Sequence, residues 1–184
     1  MKEISLNILD VVGNSIKAKA ARIDIEVEES LSKDILSLSI MDDGCGMSEE
    51  FLARVSDPFT TTRTTRKVGL GLPLLKMAAE SCEGNFSITS ELGKGTKVNA
   101  SFRLGHLDRM PLGDMAETMV TLISADDTIR YVYTHQTDSG MFVLDTLEIQ
   151  GILGEEIALS TPEILAWIRE YIKENLDNIK GGNI

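Results

Sequence analysis

The chain is poor in the residues that most often do chemistry in small proteins. Of its 184 residues two are cysteine, two histidine, one tryptophan and four proline, and aromatic residues make up only 5%. Cys45 and Cys82 fit no CxxC pattern and suit a reducing compartment. With His106 and His135 as the whole histidine content, a zinc site of the HExxH kind is excluded. No apolar run approaches the roughly 18 residues that span a bilayer, and Glu3 and Asp10 interrupt what would be the apolar core of a secretory leader. A cytoplasmic protein without membrane insertion is expected. Positive charge is scarce as well: 18 Lys and Arg against 29 Asp and Glu leave a net charge of −11, which argues against a nucleic-acid binder.

What is present is the balance of an ordinary globular chain, 42% apolar and 26% charged. Its length suits one domain, or one domain with a smaller appended unit. The acidity is unevenly spread. Residues 1–104 hold 13 Lys and Arg against 15 Asp and Glu, whereas residues 105–184 hold 5 against 14. A solvated acidic surface that aids solubility accounts for this contrast; a basic protein partner is the other reading.

Hydrophobic periodicity divides the chain further. Ile4, Ile8, Val11, Val12 and Ile16 share one face of a helix over the first twenty residues. Ile23, Ile25 and Val27, then Leu36, Leu38 and Ile40, alternate with polar residues as strands do. Ser48 is placed to cap a short helix reaching about Val55. Residues 57–69 are rich in threonine and positive charge and lack apolar periodicity, which predicts a long loop serving as a functional lid. A helix from Leu70 to about Cys82 tolerates Pro73 in its first turn. Strands near 86–90 and 96–104 pair across Gly93-Lys94-Gly95. After a break near HLDRMPLGDM come a helix near 114–123, an alternating hairpin in YVYTHQTDSGMFVLDT, and an amphipathic helix from about Pro162 to Leu176. Hairpins rather than regular βαβ units imply an α/β architecture with an antiparallel or mixed sheet.

Three patterns carry potential chemistry. Asp10, Asn14 and Lys17 are spaced i, i+4 and i+7, so they converge on one helix face. An amide oxygen suits Mg²⁺, a carboxylate can order or deprotonate a water, and an ammonium can meet a phosphate. Taken alone, a salt-bridged solvent face explains them better. Asp42-Asp43-Gly44-Cys45-Gly46-Met47 follows a buried-looking strand. A carboxylate there can accept from an exocyclic amine, and the paired glycines let a flat base approach the backbone; an isolated DxGxG is more often an acidic turn. Gly69-Leu70-Gly71 opens a helix whose free N–H groups make an anion site, although such a pair is more often a flexible connection. Gly93-Lys94-Gly95-Thr96 lacks the ending of a Walker A motif.

In their order along the chain these elements resemble the ATP-binding domain shared by DNA gyrase, heat-shock chaperones, sensor histidine kinases and MutL-type repair proteins, the Bergerat or histidine-kinase-like ATPase (GHKL) fold. LDVVGNSIKAKA (9–20) is similar to its asparagine box and MDDGCGM (41–47) to its first glycine box. DPFTTT (57–62) resembles the phenylalanine box of histidine kinases, KVGLGLPLLK (67–76) the second glycine box, and LGKGTKV (92–98) the closing GxGT element.

The resemblance implies a sandwich of helices on a mixed or antiparallel sheet over residues 1–104, with residues 105–184 as a small α/β extension. It implies ATP and Mg²⁺ as ligands. Asn14 would hold Mg²⁺ and Lys17 would lie near the phosphates. Asp42 would read the adenine amine, with Gly44, Gly46, Met47 and Thr96 shaping that pocket. Gly69, Leu70 and Gly71 would offer N–H groups to the phosphates, with Lys67, Arg63 and Arg66 as lid cations and Phe59 packing the lid. Asp10 takes the place of the general-base glutamate of hydrolysing members and is one methylene shorter, so hydrolysis does not follow from the resemblance. The function implied is a stand-alone kinase phosphorylating a histidine or serine of a partner in trans, or a weak ATPase. The alternative is an ATP-operated interaction switch with little turnover. Residues 105–184 are expected to serve partner binding or homodimerisation, and His135 to be structural.

Overall fold

The computed structural model describes residues 3–55, 71–154 and 156–180. The helical face read from the first residues forms α1 (Ile4–Lys17), burying Ile4, Ile8, Val11 and Val12. The alternating runs become β1 (Arg22–Ser30) and β2 (Ile35–Asp42), paired antiparallel. α2 (Glu49–Val55) starts after Ser48, whose hydroxyl oxygen accepts the Phe51 N–H at 3.3 Å. α3 (Gly71–Ser81) carries Pro73 in its first turn, where no intrahelical N–H is needed. β3 (Phe86–Glu91) and β4 (Gly95–Arg103) form the expected hairpin.

Beyond the break, α4 (Met115–Ala125) is capped by Asp114, which accepts the Glu117 N–H at 2.9 Å. β5 (Arg130–Thr137) and β6 (Gly140–Asp145) make the second hairpin, and α6 (Pro162–Ile179) runs one turn past the expected end. Between them stands α5 (Thr146–Leu153), which periodicity did not indicate because eight residues hold too little of a helical repeat. Its signal was local: Asp145 accepts the Leu147 N–H at 3.0 Å, and Glu148 follows three residues on, as in a capping box.

The six strands of the described residues join one sheet in the order β3-β4-β2-β1-β5-β6. Every pairing is antiparallel except β1 with β5, so the sheet is mixed. Helices α3, α1, α4 and α6 lie side by side against one face, giving a two-layer α/β sandwich. Residues 105–184 supply two of the six strands, and their apolar side chains belong to the same core as those of residues 1–104. Ile23, Ile25 and Val27 of β1 lie in register with Tyr131, Tyr133 and His135 of β5.

His135 is wholly enclosed at this seam. Its Nδ1 stands 2.6 Å from the Tyr133 hydroxyl and its Nε2 2.9 Å from Glu29 Oε1, which also receives Lys180 at 3.1 Å. Burial pushes the Tyr133 phenol well above its usual range, so it stays protonated and donates. In the neutral ring Nδ1 then accepts and Nε2–H donates to Glu29, a tautomer assigned by these partners. The chain Tyr133–His135–Glu29–Lys180 ties the end of α6 to β1 and β5, a structural duty for His135.

Candidate functional site

The alternation that buries Leu36, Leu38 and Ile40 continues to Asp42, so the carboxylate sits on the core face at the end of β2. A buried carboxylate needs donors. Asp42 Oδ2 accepts the Ser15 hydroxyl at 2.6 Å, and Oδ1 accepts the Gly44 N–H at 2.9 Å. Each oxygen keeps a further lone pair for a ligand. Ser15 was not singled out by the motif reading. A serine on the buried face of α1 was the available signal, because such a hydroxyl must find a partner.

Register β2 with β4 places Thr96 opposite Asp42. Ser90 joins this wall to the glycine-rich turn: its Oγ accepts the Met47 N–H at 2.8 Å, donates to the Gly95 carbonyl at 2.8 Å, and lies 2.9 Å from Thr96 Oγ1. With the single Ser90 proton given to Gly95, Thr96 donates to Ser90 and keeps its own lone pairs. Ser90 too was invisible to motif reading, since it belongs to β3, outside every motif quoted.

Two glycines allow the turn and the β3–β4 hairpin to meet. Gly46 has φ +65°, and a Cβ there would fall 2.0 Å from the Glu91 carbonyl oxygen. Gly95 has φ +108°, and its Cβ would fall 1.9 Å from the Asp42 carbonyl oxygen. Neither position admits a side chain. Gly44 is less tightly confined, with a Cβ there falling 2.9 Å from Ala18 Cβ, and its N–H donates to Asp42 Oδ1.

A cavity of about 230 Å³ opens between α1, β2 and β4. Asn14, Lys17, Asp42, Gly46, Met47 and Thr96 all line it. Phe51, Leu72 and Val98 are among its apolar walls, so the cavity suits a flat, largely apolar ring with one polar edge. Asn14 is half-buried at the rim and Lys17 exposed, and neither side chain has a hydrogen bond or ion pair among the described residues. Such uncommitted polar groups beside a buried carboxylate fit a phosphate-bearing ligand with Mg²⁺.

Asp10 stands apart from the cavity lining. It is exposed and lies against Gly71 at the start of α3, where a Cβ on Gly71 would come 2.6 Å from Asp10 Cβ. A carboxylate at that place meets the positive end of the α3 dipole. Gly71 itself is buried. Lys67, Gly69 and Leu70, with Phe59, Arg63, Arg66 and the expected 57–69 lid, lie outside the described residues.

Several known proteins are similar to this chain in sequence. A putative sensor protein of Shewanella frigidimarina is 31% identical over 109 residues, covering 59% of this chain and 16% of that protein. Sporulation kinase E of Bacillus subtilis is 36% identical over 97 residues, covering 52% of this chain and 13% of its own. The chain therefore spans about one sixth or less of the length of these relatives. The crystal structure of the N-terminal domain of a DNA repair protein aligns with 79% of this chain and 53% of its own, at a TM-score of 0.49 and 16% identity. Residues 2–106, more than half of the chain, match the family model of the histidine kinase-, DNA gyrase B- and HSP90-like ATPases. The chain belongs to that ATPase family and carries its ATP-binding domain.

Proposed function

We propose that the cavity beside Asp42 takes the adenine of Mg·ATP and that the bound nucleotide serves to phosphorylate a partner protein in trans. The observation that carries the nucleotide reading is the Asp42 carboxylate, fixed from both sides by Ser15 and Gly44 in a largely apolar cavity. Such a carboxylate reads an exocyclic amine, while the apolar walls hold the ring faces. Asn14 would hold Mg²⁺, which neutralises phosphate charge when bound, and Lys17 would meet the phosphates. The first turn of α3, beginning at Gly71, would add N–H groups to them.

Support for transfer comes from the relatives, among them a sporulation kinase and a probable C4-dicarboxylate sensor kinase of Bacillus subtilis. A second reading, an ATP-operated switch with little turnover, rests on Asp10, which is one methylene shorter than the general-base glutamate of hydrolysing family members.

Incubation with γ-labelled ATP and cell extract decides between them. Transfer of label to a partner, lost in Asn14→Ala and Asp42→Asn, is the expected result. Parental Mg·ATP affinity in both variants would remove the nucleotide reading. ATP-dependent partner binding without labelling would replace the kinase by the switch.

A further inference from the structure

α6 is the outermost helix of its layer, packed on α4 and over the hairpin β5–β6. Its inner side buries Ile168 and Ile172. Another stripe, at steps of three and four residues, presents Glu163, Trp167, Glu170, Tyr171 and Glu174 to solvent. Trp167 is 49% exposed, although it is the only tryptophan of the chain. Its indole stacks on Tyr171 with centroids 5.2 Å apart and planes 11° off parallel, and Tyr171 meets Phe142 of β6 edge-on at 5.7 Å. The three glutamates have no ion pair among the described residues. Arg169 of the same helix is turned to Glu117 on α4, which leaves Lys173 as the one cation of α6 without an ion pair among the described residues.

β6 lies directly beside this shelf and is an edge strand. Apart from β5, its backbone finds no hydrogen-bonding partner among the described residues. Proteins ordinarily protect such edges with proline, lysine or a bulge. The strand GMFVLD has no proline and no charge before its final Asp145, and Met141 and Val143 stand exposed on it. An open strand edge thus adjoins an aromatic shelf fenced by carboxylates.

We infer that β6 and the Trp167–Tyr171 shelf together form a docking site for an extended, cationic segment of a partner protein. The segment adds beside β6 as a further strand and lays an arginine or lysine over the indole, among Glu163, Glu170 and Glu174. Charge selects this occupant. Residues 105–184 carry 14 acidic against 5 basic residues, so a second copy would bring like charge to like. The site stands at the opposite end of the sheet from the β3–β4 hairpin that helps form the nucleotide cavity, and the inference is independent of ATP chemistry.

The probes are a short peptide of alternating arginine and valine, its twin with glutamate for arginine, and a twin N-methylated at alternate amides. Trp167 emission and peptide anisotropy are read on the full chain. Binding of the basic peptide with a Kd below about 100 μM and a shift of Trp167 emission is expected. Trp167→Ala and the triple variant Glu163→Gln/Glu170→Gln/Glu174→Gln, which alter exposed side chains only, should each weaken it about tenfold or more. Added salt should weaken it too. The inference is overturned if the basic peptide does not bind, if either twin binds as well, or if both variants bind like the parent. Self-association of the chain that Trp167→Ala abolishes would equally overturn it, by showing that a second copy occupies the face.

Discussion

Gly71→Ala tests whether the contact between α1 and α3 sets the geometry of the nucleotide site. The added Cβ would lie 2.6 Å from Asp10 Cβ, 3.2 Å from its Oδ2 and 3.4 Å from its Cγ. Carbon atoms rest at about 3.5–4.0 Å, so the first turn of α3 must back away from α1 by about 1 Å. Overpacking of this kind costs about 1–3 kcal/mol. Alanine regains at most about 1 kcal/mol over glycine in a helix, and less at a first residue. A net loss of about 1–2 kcal/mol should lower the melting temperature by about 4 °C for a chain of this size. If the same turn meets the phosphates, a shift of about 1 Å should also weaken Mg·ATP binding about tenfold or more. The nearest obstacle is a Cβ, not the carboxylate. Asp10→Ala keeps that atom and should therefore rescue neither property in the double variant. Thermal melting and isothermal titration of the two single variants and the double variant supply the data. Parental stability and affinity in Gly71→Ala, or their recovery on adding Asp10→Ala, would refute the steric account.

Ser15→Ala removes a 2.6 Å hydrogen bond to the Asp42 carboxylate. Bonds to charged groups contribute about 1.5–3 kcal/mol, and water reaching the cavity should hold the loss near 1.5 kcal/mol in urea unfolding; an unchanged midpoint would count against it. Glu29 is held down from its ordinary 4.5 to about 2, chiefly by its hydrogen bond with His135 and further by Lys180. Because the folded value is the lower one, this stabilisation is complete above pH 4.5 and fades as pH falls toward 2. It amounts to at most about 3 kcal/mol, and Glu29→Gln should flatten the acid limb of stability against pH. Truncation after residue 104 strips β5 from the edge of β1 and α4 from α1, so the fragment should show no cooperative melting by circular dichroism. A sharp transition would establish residues 1–104 as self-sufficient.

Much of the architecture is local and was readable before any coordinates. Strict alternation marked β1 and β2, and the same alternation carried Asp42 to the core face, because side chains of a strand change sides at every residue. The Asn14 helix, the Ser48 cap and the Gly93–Gly95 hairpin likewise depend on neighbours a few residues away. What required the whole fold is the meeting of segments distant in sequence. The parallel pairing of β1 with β5 puts the two halves of the chain into one sheet, and no local pattern states which strand edges will meet. Ser15 and Ser90 became visible only when packing brought them to Asp42 and Thr96, since a hydroxyl shows no preference for a partner until burial denies it water. Asp10 shares a helix face with Asn14 by spacing, yet it lies against Gly71 of α3 while Asn14 lines the cavity. Periodicity chooses the face of a helix; the element that packs there decides what each residue on that face can touch.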